Sequence, residues 1–461
     1  MMDLVIKGAQ VVTENGVFHG GVAIKDGKIA AIGTDETLPP AQTVIDAKGQ
    51  YVLPGGVDPH VHIRYPGGAH RETFVTGSSA AAAGGVTTII EHPISTPSQY
   101  STEILMNRVK AVEEQAVVDV AFLGAAGGNR LEFIQEIGSA GIVGYKSFLH
   151  AAPEGRAKEF DGLTMESNYE LYRGFQEIKQ TGLPMTAHAE DNDLIVGFTK
   201  EFRARGATSG IDHAKARPTL SEVMSVERLI RFAKETETPL YLVHISTPEA
   251  VAVAKEARDA GLNLHIETCP HYLYLTEESL VKYGAYAKCN PPLRSEEQRQ
   301  KMWEYVMDGT IDTVGSDHAP YTVEEKEKNK EDIFVAPAGF PGIETRLPLM
   351  LTAVKEGKIS LERAVDLIST KPSKIFGLYP RKGAIQVGAD ADLLIVNIDD
   401  EYELQHENML TMAKDVSLVY DGQKVFGKVL KTLVRGTVVF DNGEITAQPG
   451  YGQWVKVNKK A

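Results

Sequence analysis

The sequence of 461 residues has little cysteine, no long apolar run and no block of basic residues. Its two cysteines, Cys269 and Cys289, are too few for a disulfide framework. No apolar run approaches the ~20 residues that cross a bilayer, and no basic and apolar leader precedes residue 3. The net charge of −14 argues against a general attraction to nucleic acid or anionic membrane. We therefore expect a cytoplasmic protein that has neither nucleic acid nor membrane as a partner.

Short β-strands separated by turns occupy both ends of the chain. They fill the first fifty residues, with a turn at residues 26–27, and they return beyond residue 390, with a turn at residues 442–443. No strands of that style occur in the middle. The pattern predicts one small β-sandwich domain assembled from residues 1–53 and 376–461.

Between residues 54 and 375, short apolar strands alternate with helical stretches, which is the pattern of a parallel sheet covered by helices. We therefore expect an α/β fold in which a (β/α)8 TIM-like barrel carries its active site at the carboxyl ends of the strands. The eight expected strands are the one ending at residues 60–62 and those at 86–90, 117–122, 142–146, 185–188, 240–244, 264–268 and 313–317.

Polar residues end several of these strands. His60 and His62 are two residues apart, so on an extended strand both imidazoles point to the same side. Four other expected strands also end in such residues, which are Lys146, His188, His244 and Asp317. In a closed barrel these ends converge, so six such residues favour a metal site. A single strand-end histidine may only be hydrogen-bonded in the core, and Asp317 alone could cap a helix.

Lys146 is the unusual member of this set. An ammonium group cannot bind a metal, and burying it beside other cations is costly unless it is paired or neutralised. One interpretation is a lysine that extends from the rim of the barrel into water. The other is a chemically modified lysine that has lost its charge. The residues alone leave both open.

The sequence resembles the cyclic amidohydrolases, a group that contains hydantoinases, dihydropyrimidinases, allantoinases and dihydroorotases. The resemblance covers nearly the whole chain and is specific for the superfamily. The segments that carry it are 54–62, 83–88, 144–146, 188–190, 243–246, 269–272, 290–294, 315–320 and 382–392.

The resemblance implies a binuclear site, usually with zinc. One ion would be held by His60 and His62 and the other by His188 and His244. An N6-carboxylated Lys146 would bridge the two ions. A hydroxide that bridges the ions would attack the ring carbonyl, and Asp317 would take its proton and pass it to the departing ring nitrogen. Relatives are commonly homotetramers. The six implied ligands are His60, His62, Lys146, His188, His244 and Asp317.

Substrate choice lies in the loops, where the sequence departs from two branches of the group. Dihydropyrimidinases and D-selective hydantoinases usually have a tyrosine five residues after the bridging lysine, and Ala151 stands there. Dihydroorotases share Arg64, but Ile94 and Tyr321 replace an asparagine and a histidine usual in them. Segments 269–273 and 308–312 resemble the L-hydantoinase and allantoinase branch.

We therefore expect hydrolysis of a cyclic ureide or imide, hydantoinase-like first and allantoinase as the alternative, ahead of dihydropyrimidinase or dihydroorotase. A non-catalytic scaffold protein is the contrasting class, but such relatives lose metal ligands and all six are present here. Arg64 either contacts a ureido or carboxylate substituent or faces outward from a loop. The expected substrate-binding residues are Arg64, His150, Asn290 and Ala338.

Overall fold

The computed structural model describes residues 1–328 and 330–457. Its N-terminal part forms five strands, and the first runs over twelve residues from Met2 to Thr13. A bulge between Ile6 and Ala9 interrupts its pairing, and Gly8 takes a φ of 63° there. The five strands are β1 (Met2–Thr13), β2 (Gly16–Lys25), β3 (Lys28–Gly33), β4 (Ala41–Asp46) and β5 (Tyr51–Pro54).

Eight parallel strands follow and form a nearly closed barrel, in which each strand pairs with its neighbours in chain order. The first and last strands meet through a parallel bridge between Val61 and His318, and the His62 N–H donates to the His318 carbonyl at 2.9 Å. The predicted barrel is confirmed. Its strands are β6 (Gly56–Val61), β7 (Val86–Glu91), β8 (Asp119–Ala125), β9 (Gly144–Phe148), β10 (Met185–His188), β11 (Leu240–Leu242), β12 (Leu264–Thr268) and β13 (Thr313–Val314).

Helices lie between and after the barrel strands. Among the described residues, no helix is long and apolar enough to span a membrane. The helices are α1 (Phe74–Ala83), α2 (Thr102–Gln115), α3 (Ile134–Ser139), α4 (Asn168–Thr181), α5 (Asn192–Ala204), α6 (Gly210–Ala216), α7 (Thr219–Thr236), α8 (Pro248–Asp259), α9 (Pro270–Tyr274), α10 (Glu277–Tyr283), α11 (Glu296–Met307), α12 (Val323–Lys328), α13 (Arg346–Lys355), α14 (Leu361–Val365) and α15 (Lys371–Ile375).

Two barrel strands end earlier than the sequence indicates. Strand β11 stops at Leu242 and β13 at Val314, so His244 and Asp317 lie in the turns that follow. Both residues have positive φ angles, 41° and 48°, which a hydrogen-bonded strand cannot contain. The strands expected to run to 244 and 317 were therefore wrong at these ends. Lys146, expected at a strand end, is the third residue of β9.

The C-terminal strands join those of the N-terminal end in one nine-stranded sheet. Strand β5 links the two groups, because it pairs parallel with β1 and antiparallel with the first C-terminal strand. The expectation of a β-rich domain from both chain ends is confirmed. Its boundaries at residues 53 and 376 stay predictions, and residues 458–461 lie outside the described residues. The strands are β14 (Leu393–Glu403), β15 (Lys424–Val434), β16 (Thr437–Asp441) and β17 (Glu444–Ile445).

A buried charge cluster joins this β-rich domain to the barrel. The ammonium of Lys382 lies 2.6 Å from Asp119 at the start of β8, 2.7 Å from Asp392 and 2.9 Å from Asp390. Arg435 also pairs with Asp119. Burial alone would lower the pKa of Lys382, but the three carboxylates raise it above its ordinary value. One fully buried cation therefore holds three carboxylates together at the domain contact.

Replacing Lys382 by Met should lower the free energy of unfolding by about 3–5 kcal/mol, because it leaves carboxylates buried without their cation. Denaturant unfolding would measure the change. Lys428→Met, at an exposed position on β15, is the matched control. A loss no larger than that of the control would contradict the assigned role of Lys382.

Candidate active site

All ten residues that the sequence singled out line one cavity at the carboxyl ends of the barrel strands. Three belong to β6, β9 and β10, one directly follows β6, and the other six lie in loops and turns between strands and helices. The convergence expected from the barrel is therefore present. The ten are His60, His62, Arg64, Lys146, His150, His188, His244, Asn290, Asp317 and Ala338.

Three lone-pair atoms form a small triangle on one side of this cavity. The Nε2 atoms of His60 and His62 are 3.1 Å apart, and Asp317 Oδ1 is 3.2 Å from each. Burial is the main cause that lowers the pKa of each histidine well below its ordinary value, so both rings are neutral. Burial also raises the pKa of Asp317.

A second pair of imidazoles faces the first. His188 Nδ1 lies 3.0 Å from His244 Nε2, and the ring centroids of His60 and His244 are 5.2 Å apart. Lys146 lines the same cavity as both pairs. Its charge contributes to lowering the pKa of all four histidines. Its Nζ is fully buried and has no hydrogen-bond partner among the described residues.

Buried carboxylates orient these imidazoles from behind. Glu267 Oε1 accepts from His60 Nδ1 at 2.7 Å and from the His244 N–H at 2.9 Å. Glu190 accepts from His188 Nε2 at 2.7 Å and pairs with Arg217. The bonds to His60 Nδ1 and His188 Nε2 select the tautomers whose other nitrogens keep a lone pair toward the cavity, whereas Glu267 contacts His244 only through its backbone. Sequence reasoning assigned no role to either glutamate, although Glu190 lies within a segment that carries the resemblance.

Backbone strain accompanies the site. Arg64, His244 and Asp317 have positive φ angles, which are uncommon for residues other than glycine. Glu91 accepts the N–H groups of Ile63 and Arg64 at 2.9 and 3.0 Å. Glu267 does the same for His244. Buried carboxylates therefore stabilise two of these three left-handed conformations.

The arrangement fits divalent metal ions. Ligands about 2.0–2.1 Å from a tetrahedral ion lie about 3.3–3.4 Å apart, close to the separations of the first triangle and slightly longer than the His188–His244 separation. Because Glu267 accepts from His60 Nδ1 and Glu190 accepts from His188 Nε2, the facing nitrogens of His60 and His188 keep their lone pairs. No contact among the described residues fixes the tautomer of His62 or His244. A cation shared within each pair would be bound by the lone pairs that His60 and His188 keep.

His92 adds a histidine that the sequence had not marked as a possible ligand. Its ring stacks on His60 at 3.9 Å, and it could form a three-histidine group with His60 and His62. Its Nε2 is occupied, however, by the Pro59 carbonyl at 3.1 Å. We therefore regard His92 as packing against the ligands. A signal was available, since it directly follows β7.

Arg64 faces the cavity, which excludes the outward-facing interpretation. It is only 4% exposed, its Nε has no hydrogen-bond partner in the part of the chain that the structure describes, and Nη1 donates to the Pro320 carbonyl at 3.2 Å. Its guanidinium lies 4.5 Å from the ring centre of Tyr321, whose hydroxyl accepts from Arg156 at 3.2 Å. Burial alone would raise the pKa of Tyr321, but the surrounding arginines have the larger combined effect and lower the pKa below its ordinary value. Sequence reasoning missed Arg156, which lies in a long loop.

Other residues that line the cavity offer polar groups without partners. Asn290 Oδ1 is buried without a hydrogen-bond partner among the described residues. The N–H and carbonyl of Ala338 also have no backbone partner there. His150 differs, because its Nδ1 lies 2.7 Å from the Ala151 carbonyl and burial lowers its pKa to about 3. It is therefore a neutral wall residue.

Replacing Glu267 by Gln should weaken divalent-ion binding about 10–100-fold, because the new amide cannot keep all the bonds that orient His60 and His244. Metal retained after dialysis against graded chelator, measured by elemental analysis, would show the change. Glu256→Gln, at an exposed position on α8, is the control. If the folded Glu267→Gln protein retained as much metal as the wild-type protein, Glu267 would not orient the metal-binding histidines.

Comparison with known proteins agrees with this site. The model described as "Amidohydrolase family" matches residues 51–439. An L-hydantoinase of Paenarthrobacter aurescens is 37% identical over 457 residues, covering 99% of this chain and 98% of that protein. An allantoinase of Solibacter usitatus (strain Ellin6076) is 36% identical over 452 residues, covering 98% and 96%.

The fold gives the same result. The solved L-hydantoinase (dihydropyrimidinase) from Arthrobacter aurescens has a TM-score of 0.95 and 36% identity, covering 99% of this chain and 100% of that one. The expected resemblance to cyclic amidohydrolases, and to the branch with L-hydantoinases and allantoinases, is confirmed. By its sequence over most of its length and by its fold, the chain belongs to the amidohydrolase family.

Proposed function

We propose that this protein hydrolyses the ring amide bond of a cyclic ureide or imide, with a hydantoin as the first candidate and allantoin as the second. Relatives named L-hydantoinase and allantoinase support the reaction class. The observation that carries the proposal is the buried, unpartnered amine of Lys146 between two pairs of neutral imidazoles. A scaffold protein has no need of such a costly arrangement.

Enzymes of the amidohydrolase family are metal-dependent. We propose two divalent ions here, one at His60 and His62 with Asp317 and the other at His188 and His244. Zinc suits ligands rich in imidazole nitrogen. Bound there, the ions would activate water as a nucleophile near neutral pH and polarise the ring carbonyl.

Lys146 would bridge the two positions as an N6-carboxylate. Burial is the main cause that lowers its pKa, to about 7, so much of it is a neutral amine at neutral pH. That amine can attack carbon dioxide, forming a carbamate and releasing one proton. The change removes an unpaired buried cation and supplies two oxygen ligands. Without this modification, Lys146 Nζ has no hydrogen-bond partner among the described residues.

Asp317 is the proposed proton carrier. Its Oδ1 contacts both histidines of the first pair, and its raised pKa suits a group that gains and loses a proton during turnover. It would take a proton from the attacking water and pass it to the ring nitrogen as the carbon–nitrogen bond breaks. The product would be the ring-opened carboxylate.

Groups that line the cavity would orient the ring. The free backbone groups of Ala338 and the Asn290 carboxamide oxygen can pair with a ring amide. Arg64 and Arg156 also line the cavity, where they could contact a ureido or carboxylate substituent. His150 would contribute a neutral imidazole edge. These roles follow the chemistry of the groups that face the cavity.

Assembly and location stay predictions. We propose a homotetramer, in keeping with the family, and exposed apolar side chains such as Val196 on α5 and Val281 on α10 suit an interface, since both helices contact α6. We also propose a cytoplasmic location, because Cys269 and Cys289 are both free and buried.

A hydrolysis screen tests the function. The zinc-loaded protein should open 5-substituted hydantoins or allantoin with a higher kcat/KM than dihydrouracil or dihydroorotate, and both hands of each hydantoin should be compared. Asp317→Asn should lower kcat by about 10³-fold or more while metal largely remains. Failure of the metal-loaded protein to open any of these rings would overturn the proposal.

Lys146→Ala should abolish turnover, because the bridge between the two ion positions is lost. Added acetate or propionate should restore part of the activity by supplying a carboxylate in the space left by the side chain. Lys158→Ala, at an exposed loop position, is the control and should respond to neither change. Full activity of Lys146→Ala without added acid would exclude the carbamate.

A further inference from the structure

Two further buried lysines lie beside the cavity, and the proposed reaction uses neither. Lys288 follows the short 3-10 helix Gly284–Ala287, and Lys326 is on α12. Their exposed fractions are 5% and 0%. Among the described residues neither forms an ion pair with a carboxylate, so both ammonium groups depend on uncharged partners.

Lys326 is enclosed by backbone carbonyls. Its Nζ donates to Ala285 O at 2.9 Å, Pro337 O at 2.9 Å and Gly339 O at 2.7 Å. An ammonium has three N–H groups, so these three acceptors use all of them. Burial is the main cause that lowers the pKa of Lys326, to about 7. The three carbonyl oxygens favour the charged form and oppose that loss.

Lys288 makes a similar set of contacts with the same loop. Its Nζ donates to Ile333 O at 2.5 Å and Ala336 O at 2.6 Å, with Phe334 O more distant at 3.5 Å. Its own carbonyl accepts from the Gly339 N–H at 2.8 Å. Loop 333–339 is therefore tied to segment 285–288 by two side chains and one backbone bond.

The tied segments carry one wall of the cavity. Asn290 follows Lys288 by two residues, and Ala338 stands between Pro337 and Gly339. The carbonyls on each side of Ala338 point to Lys326, whereas the N–H and carbonyl of Ala338 itself have no backbone partner among the described residues. The lysine contacts therefore fix a peptide segment whose own N–H and carbonyl stay free of backbone partners among the described residues.

We propose that Lys288 and Lys326 are positioning residues that hold the Ala338 backbone against the substrate ring. This inference rests on the proposed cyclic-amide hydrolysis. A buried cation without a carboxylate is costly, and a hydrophobic side chain would fill the same space. Carbonyls turned toward an ammonium, by contrast, fix the orientation of the intervening peptide.

The test uses Lys326→Met and Lys288→Met, which keep side-chain length and remove the charge. Each should raise KM for the ring substrate about tenfold, with kcat changed less and metal content unchanged. Amide hydrogen exchange of the peptide covering residues 333–341 should become about tenfold faster. Lys328→Met, exposed on the same helix, is the matched control and should change neither quantity.

Unchanged KM and unchanged exchange in either folded variant would overturn the proposal. A lower melting temperature with unchanged KM would also overturn it, since it would leave only a structural role. Lys326→Gln provides a third variant should a methionine prevent folding. Hydrogen exchange needs no turnover, so it remains decisive even if the wild-type protein opens no ring, a result that would count against the proposed function instead.

Discussion

The candidate site depends on the exclusion of water from a group of facing lone pairs. His60, His62 and Asp317 form one set with separations of about 3 Å, His188 and His244 form another, and burial keeps the imidazoles neutral. In water such groups would separate, because each would bond to solvent. Here the barrel holds each set together, and a cation would satisfy the lone pairs that face one another. The unpaired amine of Lys146 belongs to the same constraint.

Charge is arranged in layers around this centre. Glu267 lies behind His60 and Glu190 behind His188, and each selects the tautomer of its histidine. Glu91 and its partner Arg108 support the strained turn at Arg64. These carboxylates are buried, and each has a defined set of donors. At the cavity wall the charges are reversed, because the ammonium groups of Lys288 and Lys326 orient backbone carbonyls. In both places electrostatic attraction fixes the positions of the neighbouring groups.

Sequence reasoning succeeded where local pattern and barrel topology agree. The eight strands and the convergence of the polar strand-end residues on one cavity were predictable, because apolar runs mark parallel strands and their carboxyl ends must converge. The exact ends of β11 and β13 were not predictable, since the left-handed turn at His244 depends on a bond to the distant Glu267, and the residue after Asp317 is bonded to β6 across the barrel closure. Arg156 and the lysine contacts of loop 333–339 were also missed. Long loops show no periodicity, and their positions are set by tertiary contacts.

The joining of both chain ends in one sheet has a consequence for synthesis. Strand β5 is complete at Pro54, but its antiparallel partner β14 begins only at Leu393. At about 5–20 residues per second, the ribosome needs roughly 20 to 70 s to make the intervening chain. During that time β5 has an open edge that other nascent strands could occupy. Chaperone protection of the amino-terminal strands during translation would therefore favour correct assembly.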